Sequence, residues 1–427
     1  MPAPHSTQPV LTMRTRFLHS LLALALVTLA CAAETEVAPP QGPVTSASRD
    51  VGAEVSGAMI HLRNWRWQDV MNNMQRLKDA GFTALLLSPH TSTCGGDYSE
   101  GYDPYDFTRF DGRFGSEHDL YWLVRTAHHF GLQVYADMVM NHMCSRDSWS
   151  YPRFGYNDFH HEGDVWDWND PYALEHGMLW GLHDLAHESE YVRSELFNFL
   201  VKTNNLGFDG YRWDAAKHVP LWYWRDHVVN NTNAWGKFSF GEVFDGRPEV
   251  LASYAEAGMA VTDYNLYFAL KEAFRFGGDL SKLDGAGYAA RDGLNAVTFV
   301  ENHDVEAPEN RLLAYAFICA YPGYPSFENT PLDDPTMLNL VWIHGNKARG
   351  TYRNLHKERD VLIFERGDSL LAAFNQSGEW QSRWVRSRWT DRKLNDYTGH
   401  VQGDAWTDGG GWVEVKIPPM SYVMLAP

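Results

Sequence analysis

From Gly57 to Leu87 the chain reads GAMIHLRNWRWQDVMNNMQRLKDAGFTALLL, and the reading of this stretch decides the fold. A short apolar run at 58–62 gives way to a polar turn, then to helical spacing over 67–80, then to a second apolar run at 83–87. Strand, helix and strand in that order make a unit whose two strands lie parallel. The same phrase returns downstream. Further strands are expected at 133–138, 210–213, 238–243 and 296–300, with a helix over 116–130. Val192, Leu196, Phe199, Leu200 and Leu206 mark one face of a helix over 190–205. So many βα units predict a parallel sheet, either doubly wound or closed. The chain length favours a (β/α)8 TIM barrel over residues 51–355, with 309–336 closing it.

Two intervals break the rhythm. Between the third strand and the helix near 189 lie about 50 residues rich in His, Asp, Gly and Trp, too long for an ordinary βα loop. They are expected to form an inserted subdomain over 143–188. After 355 the pattern changes to short apolar runs at 361–364, 370–374, 412–415 and 422–425, separated by turns. This predicts a C-terminal antiparallel β-sandwich domain over 356–427.

Acidic side chains number 54 against 36 Lys plus Arg, a formal charge of −18. That sign excludes a nucleic-acid partner, which needs a cationic field to displace phosphate counterions. At 44% hydrophobic the chain is not a disordered one, and its 14% aromatic content serves either packing or stacking on a neutral sugar. Arg14 and Arg16 precede an apolar run at 17–31, too short to span a bilayer, so residues 1–32 read as a signal peptide and 33–50 as a tether. No later run reads as transmembrane. Thr28-Leu29-Ala30-Cys31 loosely resembles a lipoprotein box, whereas Ala30-Cys31-Ala32 offers an ordinary cleavage site. The expected product is therefore secreted or anchored through a lipid on Cys31, and a monomer. Cys94 and Cys144 follow apolar runs and are expected to pair, leaving Cys319 as a buried thiol.

In a parallel barrel, residues just beyond the strands' C-terminal ends converge on one face. The third strand runs into Asp137-Met138-Val139-Met140-Asn141-His142, and the fourth into Arg212-Trp213-Asp214-Ala215-Ala216-Lys217-His218. The fifth runs into Gly241-Glu242-Val243, and the seventh into Glu301-Asn302-His303-Asp304. A lone Asp at such a place usually caps a helix. Three carboxylates at three strand ends, with an Arg and two His, point to chemistry. Arg212 lies two residues from Asp214, on the same side of a strand, and can hold that carboxylate ionised as a nucleophile. Glu242, among like charges, is expected to have a raised pKa and to act as general acid. Asp304 is left to stabilise developing positive charge. A carboxylate nucleophile with a carboxylic acid is the apparatus of a retaining glycosidase.

Together these segments resemble the conserved regions of the α-amylase family, glycoside hydrolase family 13, in order and from about Gly57 to the C-terminus. The resemblance implies the same three roles for Asp214, Glu242 and Asp304. It places Tyr102, His142, Arg212 and His303 around the sugar whose bond is cleaved, and Lys217 and His218 on the leaving-group side. It also implies one structural Ca2+, held by Asn141, Asp184, the His218 carbonyl and, more weakly, the Glu175 carbonyl. His160, His161, His176, His183 and His187 also fall in the insertion, but their spacing matches no familiar zinc ligand set and no Cys pair accompanies them. The run after Asp214 looks like that of enzymes acting on α-1,4-glucans. The implied function is retaining endo-hydrolysis of starch, glycogen and maltodextrins, with an exo-enzyme, a transglycosylase or a non-catalytic α-glucan-binding protein as alternatives. No Gly-x-Ser-x-Gly elbow supports a serine hydrolase. Glu301 and Val305-Glu306 depart from the family pattern.

Overall fold

Strands buried on both faces are rich in apolar residues, and the barrel strands are buried almost throughout, with a few polar side chains among the apolar ones. The computed structural model describes residues 57–427. The expected signal peptide, tether and Cys31 lie outside the described residues. The parallel strands are β1 Met59–Leu62, β2 Ala84–Leu87, β3 Gln133–Met138 and β4 Gly210–Trp213. They continue as β5 Phe238–Gly241, β6 Ala260–Thr262, β7 Ala296–Thr298 and β8 Tyr324–Glu328. Each pairs with the next, and β8 closes on β1. The TIM barrel read from the sequence is therefore the fold. Its sixth strand is absent from the sequence reading, although it carries the same Ala-Val-Thr run as the equally short β7.

Side-chain alternation along these strands builds the floor of the site. Tyr135, Phe240, Val297 and Tyr324 fill the barrel interior with Met59, Ala84, Leu86 and Ala260. Residues two places further on share that inward face, so Asp137 stands above Tyr135 and Glu242 above Phe240. Gly210 makes room in the same layer: a Cβ there would lie 2.6 Å from the Phe238 carbonyl and 2.8 Å from the Tyr135 ring. The register sets Asp137 beside Arg212, and Arg212 beside Phe240.

The helix Glu117–His129 starts at a capping box between Ser116 and Asp119. The helix Glu190–Asn205 buries Val192, Leu196, Phe199 and Leu200, as its spacing predicts. The helix expected over 67–80 is instead two segments, Trp67–Asn72 and Met74–Asp79, interrupted where Asn73 leaves helical geometry. In the insertion the short strands His142–Met143 and His183–Asp184 pair, with His142 opposite Asp184. Cys94 and Cys144 are disulfide-bonded and Cys319 is a buried free thiol. The bridge joins the loop after β2 to the start of the insertion and closes a separation of 50 residues. Chain entropy then assigns it up to about 4 kcal/mol. Cys144→Ser should lower the unfolding free energy by about 2–4 kcal/mol in denaturant titrations; an unchanged midpoint would show that the bridge is not formed in the folded protein.

The C-terminal domain begins at β9 Tyr352–Lys357, slightly before the boundary read at 355, because β9 pairs with β10 Val361–Arg366. The remaining strands are β11 Leu370–Asn375, β12 Gln381–Arg386, β13 Lys393–Asp396, β14 Ala405–Trp406, β15 Trp412–Ile417 and β16 Ser421–Ala426. One sheet has the order β9-β10-β11-β16-β13-β14, and β12 pairs with β15. Val361, Ile363, Leu371, Val413, Val415 and Val423 form the core between them. The opposite face, with Phe364, Phe374 and Met424, packs into the barrel's own core. Phe317 and Phe364 meet there with ring centroids 5.7 Å apart.

Candidate active site

At the C-terminal end of the barrel one guanidinium gathers three buried carboxylates. Arg212 Nη1 lies 2.7 and 2.8 Å from the two oxygens of Asp137 and 3.0 Å from Asp214 Oδ1. Its Nη2 lies 2.7 Å from Glu242 Oε1. The side chains come from β3, from β4 and its end, and from the residue after β5, and all four are buried. Ala215 has φ 46°, in the left-handed region that a residue with a Cβ seldom enters. That turn sends the Ala215 N–H to Glu242 Oε2 at 3.2 Å. The Tyr264 hydroxyl donates to Glu242 Oε1 at 3.2 Å and itself accepts from Asn302 Nδ2 at 3.1 Å.

Asp137 has no role in the sequence reading, although its signal was present: a charged residue on the inward face of an otherwise apolar strand. It accepts from the Tyr102 hydroxyl at 2.9 Å as well as from Arg212. Tyr102 in turn stacks on His303, with centroids 4.6 Å apart and planes 13° from parallel. His142 Nε2 lies 2.9 Å from the Tyr102 carbonyl oxygen. Contacts through Tyr102 thus link His142, Arg212 and His303 to one another.

The charge balance departs from the expectation for Glu242. Burial raises it, but the Arg212 and His303 charges and the hydrogen bonds it accepts outweigh that, and Glu242 lies below its ordinary value. Asp214 is instead pushed well up, by burial first, against the pull of Arg212. Asp304 rises to about 6, from burial and then from Glu242. The physical reason is that three desolvated carboxylates compete for one guanidinium: burial raises Asp137 and Asp214 despite their bonds to Arg212, whereas Glu242 adds to its Arg212 contact the hydrogen bond from the Ala215 N–H and the pull of His303. Asp304 is more open than the others; its backbone N–H donates to Asn302 Oδ1 at 2.9 Å, and His303 Nε2 lies 3.4 Å from its Oδ2.

Lys217 is at the rim but is tied to Asp245, Nζ to Oδ2 2.9 Å. His218 is buried, its Nδ1 facing the Leu174 carbonyl at 3.2 Å, with Trp168 edge-on at 5.8 Å. Trp166, Trp168, Tyr172 and Trp180 form an exposed aromatic rim on the insertion that the composition hinted at without locating. Glu301 lines the same cavity as Arg212, Glu242 and His303, and its carboxylate accepts from Arg311 Nε at 2.6 Å and the Tyr315 hydroxyl at 3.0 Å, which pins the following helix Arg311–Ala320. The Tyr267 hydroxyl donates to the Glu306 backbone carbonyl at 2.9 Å, and the Glu306 side chain itself is exposed.

Residues 64–306 match the family model described as the α-amylase catalytic domain. The chain belongs to the α-amylase family. Residues 370–425 match the family's C-terminal domain. An α-amylase-related protein of Drosophila auraria is 31% identical over 307 residues, covering 62% of this chain and 62% of that protein. An α-amylase of Thermomonospora curvata is 31% identical over 371 residues, covering 77% of this chain and 58% of that protein. The chain thus spans about three fifths of the length of these relatives. A variant of α-amylase I from Eisenia fetida, solved in complex with maltohexaose, has the same fold, with a TM-score of 0.73 at 20% identity over 86% of this chain and 96% of that one.

The calcium that membership in the α-amylase family implies can be tested against the residues present. One terminal atom of the Asn141 amide lies 3.2 Å from Asp184 Oδ1 and 2.9 Å from the His218 carbonyl oxygen. With the amide oxygen there, three oxygens face one another without a proton between them, an arrangement that a hard cation relieves. With the amide turned over, its NH2 bonds both oxygens instead. The all-oxygen set fits calcium. Burial pushes the Asp184 carboxyl up to about 7 despite a hydrogen bond from His160, so it too gains from a neighbouring cation. Glu175 lies next to Leu174 in the short helix Pro171–His176, and no hydrogen bond among the described residues brings it to this pair.

Proposed function

We propose that this protein hydrolyses α-1,4-glucosidic bonds within starch, glycogen and maltodextrins, with retention, after export as a secreted or lipid-anchored monomer. The observation that carries the reading is that Asp214 and Glu242 share the Arg212 guanidinium at the mouth of the barrel, beside the stacked Tyr102–His303 pair. The complex of the Eisenia fetida relative with maltohexaose supports the substrate class. The aromatic rim of the insertion offers stacking faces for further sugar units, which suits attack within a long chain.

The chemistry follows from the balance of charge. Asp214 Oδ attacks the anomeric carbon as the glycosidic bond breaks, and Glu242 gives its proton to the departing oxygen. Glu242 then takes a proton from water, whose oxygen displaces Asp214 and restores the anomeric configuration. Burial raises Glu242 in the free protein but Arg212 pulls it below its ordinary value, so its work as general acid requires that bound substrate, by excluding water from the cluster, raise it again. Asp304, open to the cleft, carries negative charge toward the oxocarbenium-like transition state and accepts sugar hydroxyls. Calcium, when bound by Asn141, Asp184 and the His218 carbonyl, neutralises their oxygens and joins the insertion to the end of β4. His142, next to Asn141, rests on the Tyr102 carbonyl.

A time course of products from amylose, run with and without chelator, tests the reading. Mixed oligosaccharides early in the reaction, and a lower melting temperature after chelation, are the expected results. Release of glucose or maltose alone would convert the reading to an exo-enzyme, lengthened products to a transglycosylase, and binding without turnover to a glucan-binding protein.

A further inference from the structure

The insertion holds a cluster that sequence spacing gave no reason to group. His160, His176 and Glu188 bring their ligand atoms within 4.8 Å of one another. His160 Nε2 lies 3.0 Å from Glu188 Oε2, and His176 Nε2 lies 3.3 Å from Glu188 Oε1. Four ligands at the usual zinc–nitrogen and zinc–oxygen lengths sit about 3.3 Å apart at the corners of a tetrahedron; the two histidine–Glu188 separations are close to that edge, and the whole set needs to draw in only from within 4.8 Å.

A second observation points the same way. The other nitrogen of each imidazole is already taken by an acceptor. His160 Nδ1 lies 2.6 Å from Asp184 Oδ2, and His176 Nδ1 lies 3.0 Å from the Tyr172 carbonyl oxygen. An acceptor at Nδ1 keeps a proton there, so that Nε2, on losing the proton it shares with Glu188, is the nitrogen free to bind a metal. Carboxylate and carbonyl partners on the far nitrogen are what orient metal-binding histidines. His161, His183 and His187 take no part: they face the Tyr156 carbonyl, the Tyr151 hydroxyl and the Met140 carbonyl.

The geometry points to a zinc-type divalent metal site made by His160 Nε2, His176 Nε2 and a Glu188 carboxylate oxygen. It requires neither the proposed hydrolysis nor an occupied calcium site. Two nitrogens and one oxygen suit zinc over calcium or magnesium, which take oxygen shells. Glu188 is about half exposed while both histidine side chains are mostly covered, so the metal enters from the Glu188 side and keeps a water as its fourth ligand. Binding displaces the proton that His160 Nε2 otherwise shares with Glu188 and releases it to solvent. The ion would tie together three segments: the loop carrying His160, the end of the helix Pro171–His176, and the residue ahead of the helix Glu190–Asn205. Through the His160–Asp184 bond it would also steady the carboxylate that faces Asn141.

The test uses the full chain, stripped of transition metals, kept in excess calcium and titrated with cobalt. One equivalent should give the intense visible absorption of four-coordinate cobalt, and zinc should bleach it. His176→Gln and Glu188→Gln should each weaken cobalt binding by about 100-fold or more, beyond the about 10–100-fold of an outer-shell change. His161→Gln should bind like the wild type. Glu188 is exposed, so its variant carries the reading should His176→Gln fail to fold. Only the weak spectrum of hydrated cobalt in the wild type, or an unchanged spectrum in Glu188→Gln, would overturn the site and leave His160 as an ordinary ion-paired imidazolium.

Discussion

Glu242→Gln is expected to lower kcat on soluble starch by roughly 10²–10⁴-fold, the range that a positioned general acid contributes. The loss should fall on kcat, with glucan binding retained, because the amide keeps the size of the carboxyl but cannot give up a proton. The environment adds a finer expectation. Glu242 accepts at both oxygens, from Arg212 and Tyr264 on one and from the Ala215 N–H on the other. A glutamine must turn its NH2 toward one of these donors, so the variant also leaves one buried donor unmatched, at a cost of about 1–3 kcal/mol in stability. The measurement is steady-state turnover beside a binding isotherm for a maltooligosaccharide. Turnover within tenfold of the wild type would mean that another group supplies the proton, and the assignment of roles would fall.

Arg212→Met should have the second large effect and a distinctive pH dependence. Asp137, Asp214 and Glu242 all bond this guanidinium. Removing one partner from a buried ion-paired set costs about 3–5 kcal/mol, and activity should be lost with it. In the wild type Arg212 is a main cause of Glu242 lying below its ordinary value. That depressed carboxyl contributes stability above the unfolded-state pKa, which is lost as pH falls through the folded value. In the variant, burial acts on all three carboxyls without the opposing charge, so each is raised above its unfolded value. A raised group keeps its stability below the unfolded pKa and loses it as pH rises through the folded one. The melting-temperature deficit of Arg212→Met should therefore be larger at about pH 8 than at about pH 5. An equal deficit at both would show that packing, not charge, is what the arginine supplies.

The two expectations differ in how far the residues alone support them. Asp214, Glu242 and Asp304 were legible because their strands are apolar runs whose ends can be marked, and a barrel brings such ends together. Asp137 was not singled out, although Tyr135 two places earlier is the kind of residue that fills a barrel interior. Its role depends on Arg212 of the neighbouring strand, and the register between those strands is not written in either segment. The direction of the Glu242 shift failed for a related reason. Like charges nearby predict a raised value, but the outcome turned on the sum of the partners around each carboxylate, and Glu242 gathers Arg212, His303 and the Ala215 N–H. Sequence separation carries no information about those contacts.

The histidines of the insertion show the same limit. Spacing alone gave no ligand set, because His160, His176 and Glu188 come from a loop, a helix end and a helix approach that only the folded insertion brings together. What the sequence determined by itself is everything with a local period or a local chemical signature: the βα alternation, the inserted and C-terminal domains, the disulfide pair and the identity of the strand-end carboxylates. What the tertiary structure alone decided is everything set by neighbours distant along the chain: the placement of Asp137 under Arg212, the sharing of one positive charge among three acids, and the facing oxygens of Asn141, Asp184 and His218. Periodicity and propensity act over a few residues, whereas desolvation and Coulomb energy act through space, so the first can be read along a line and the second only in the fold.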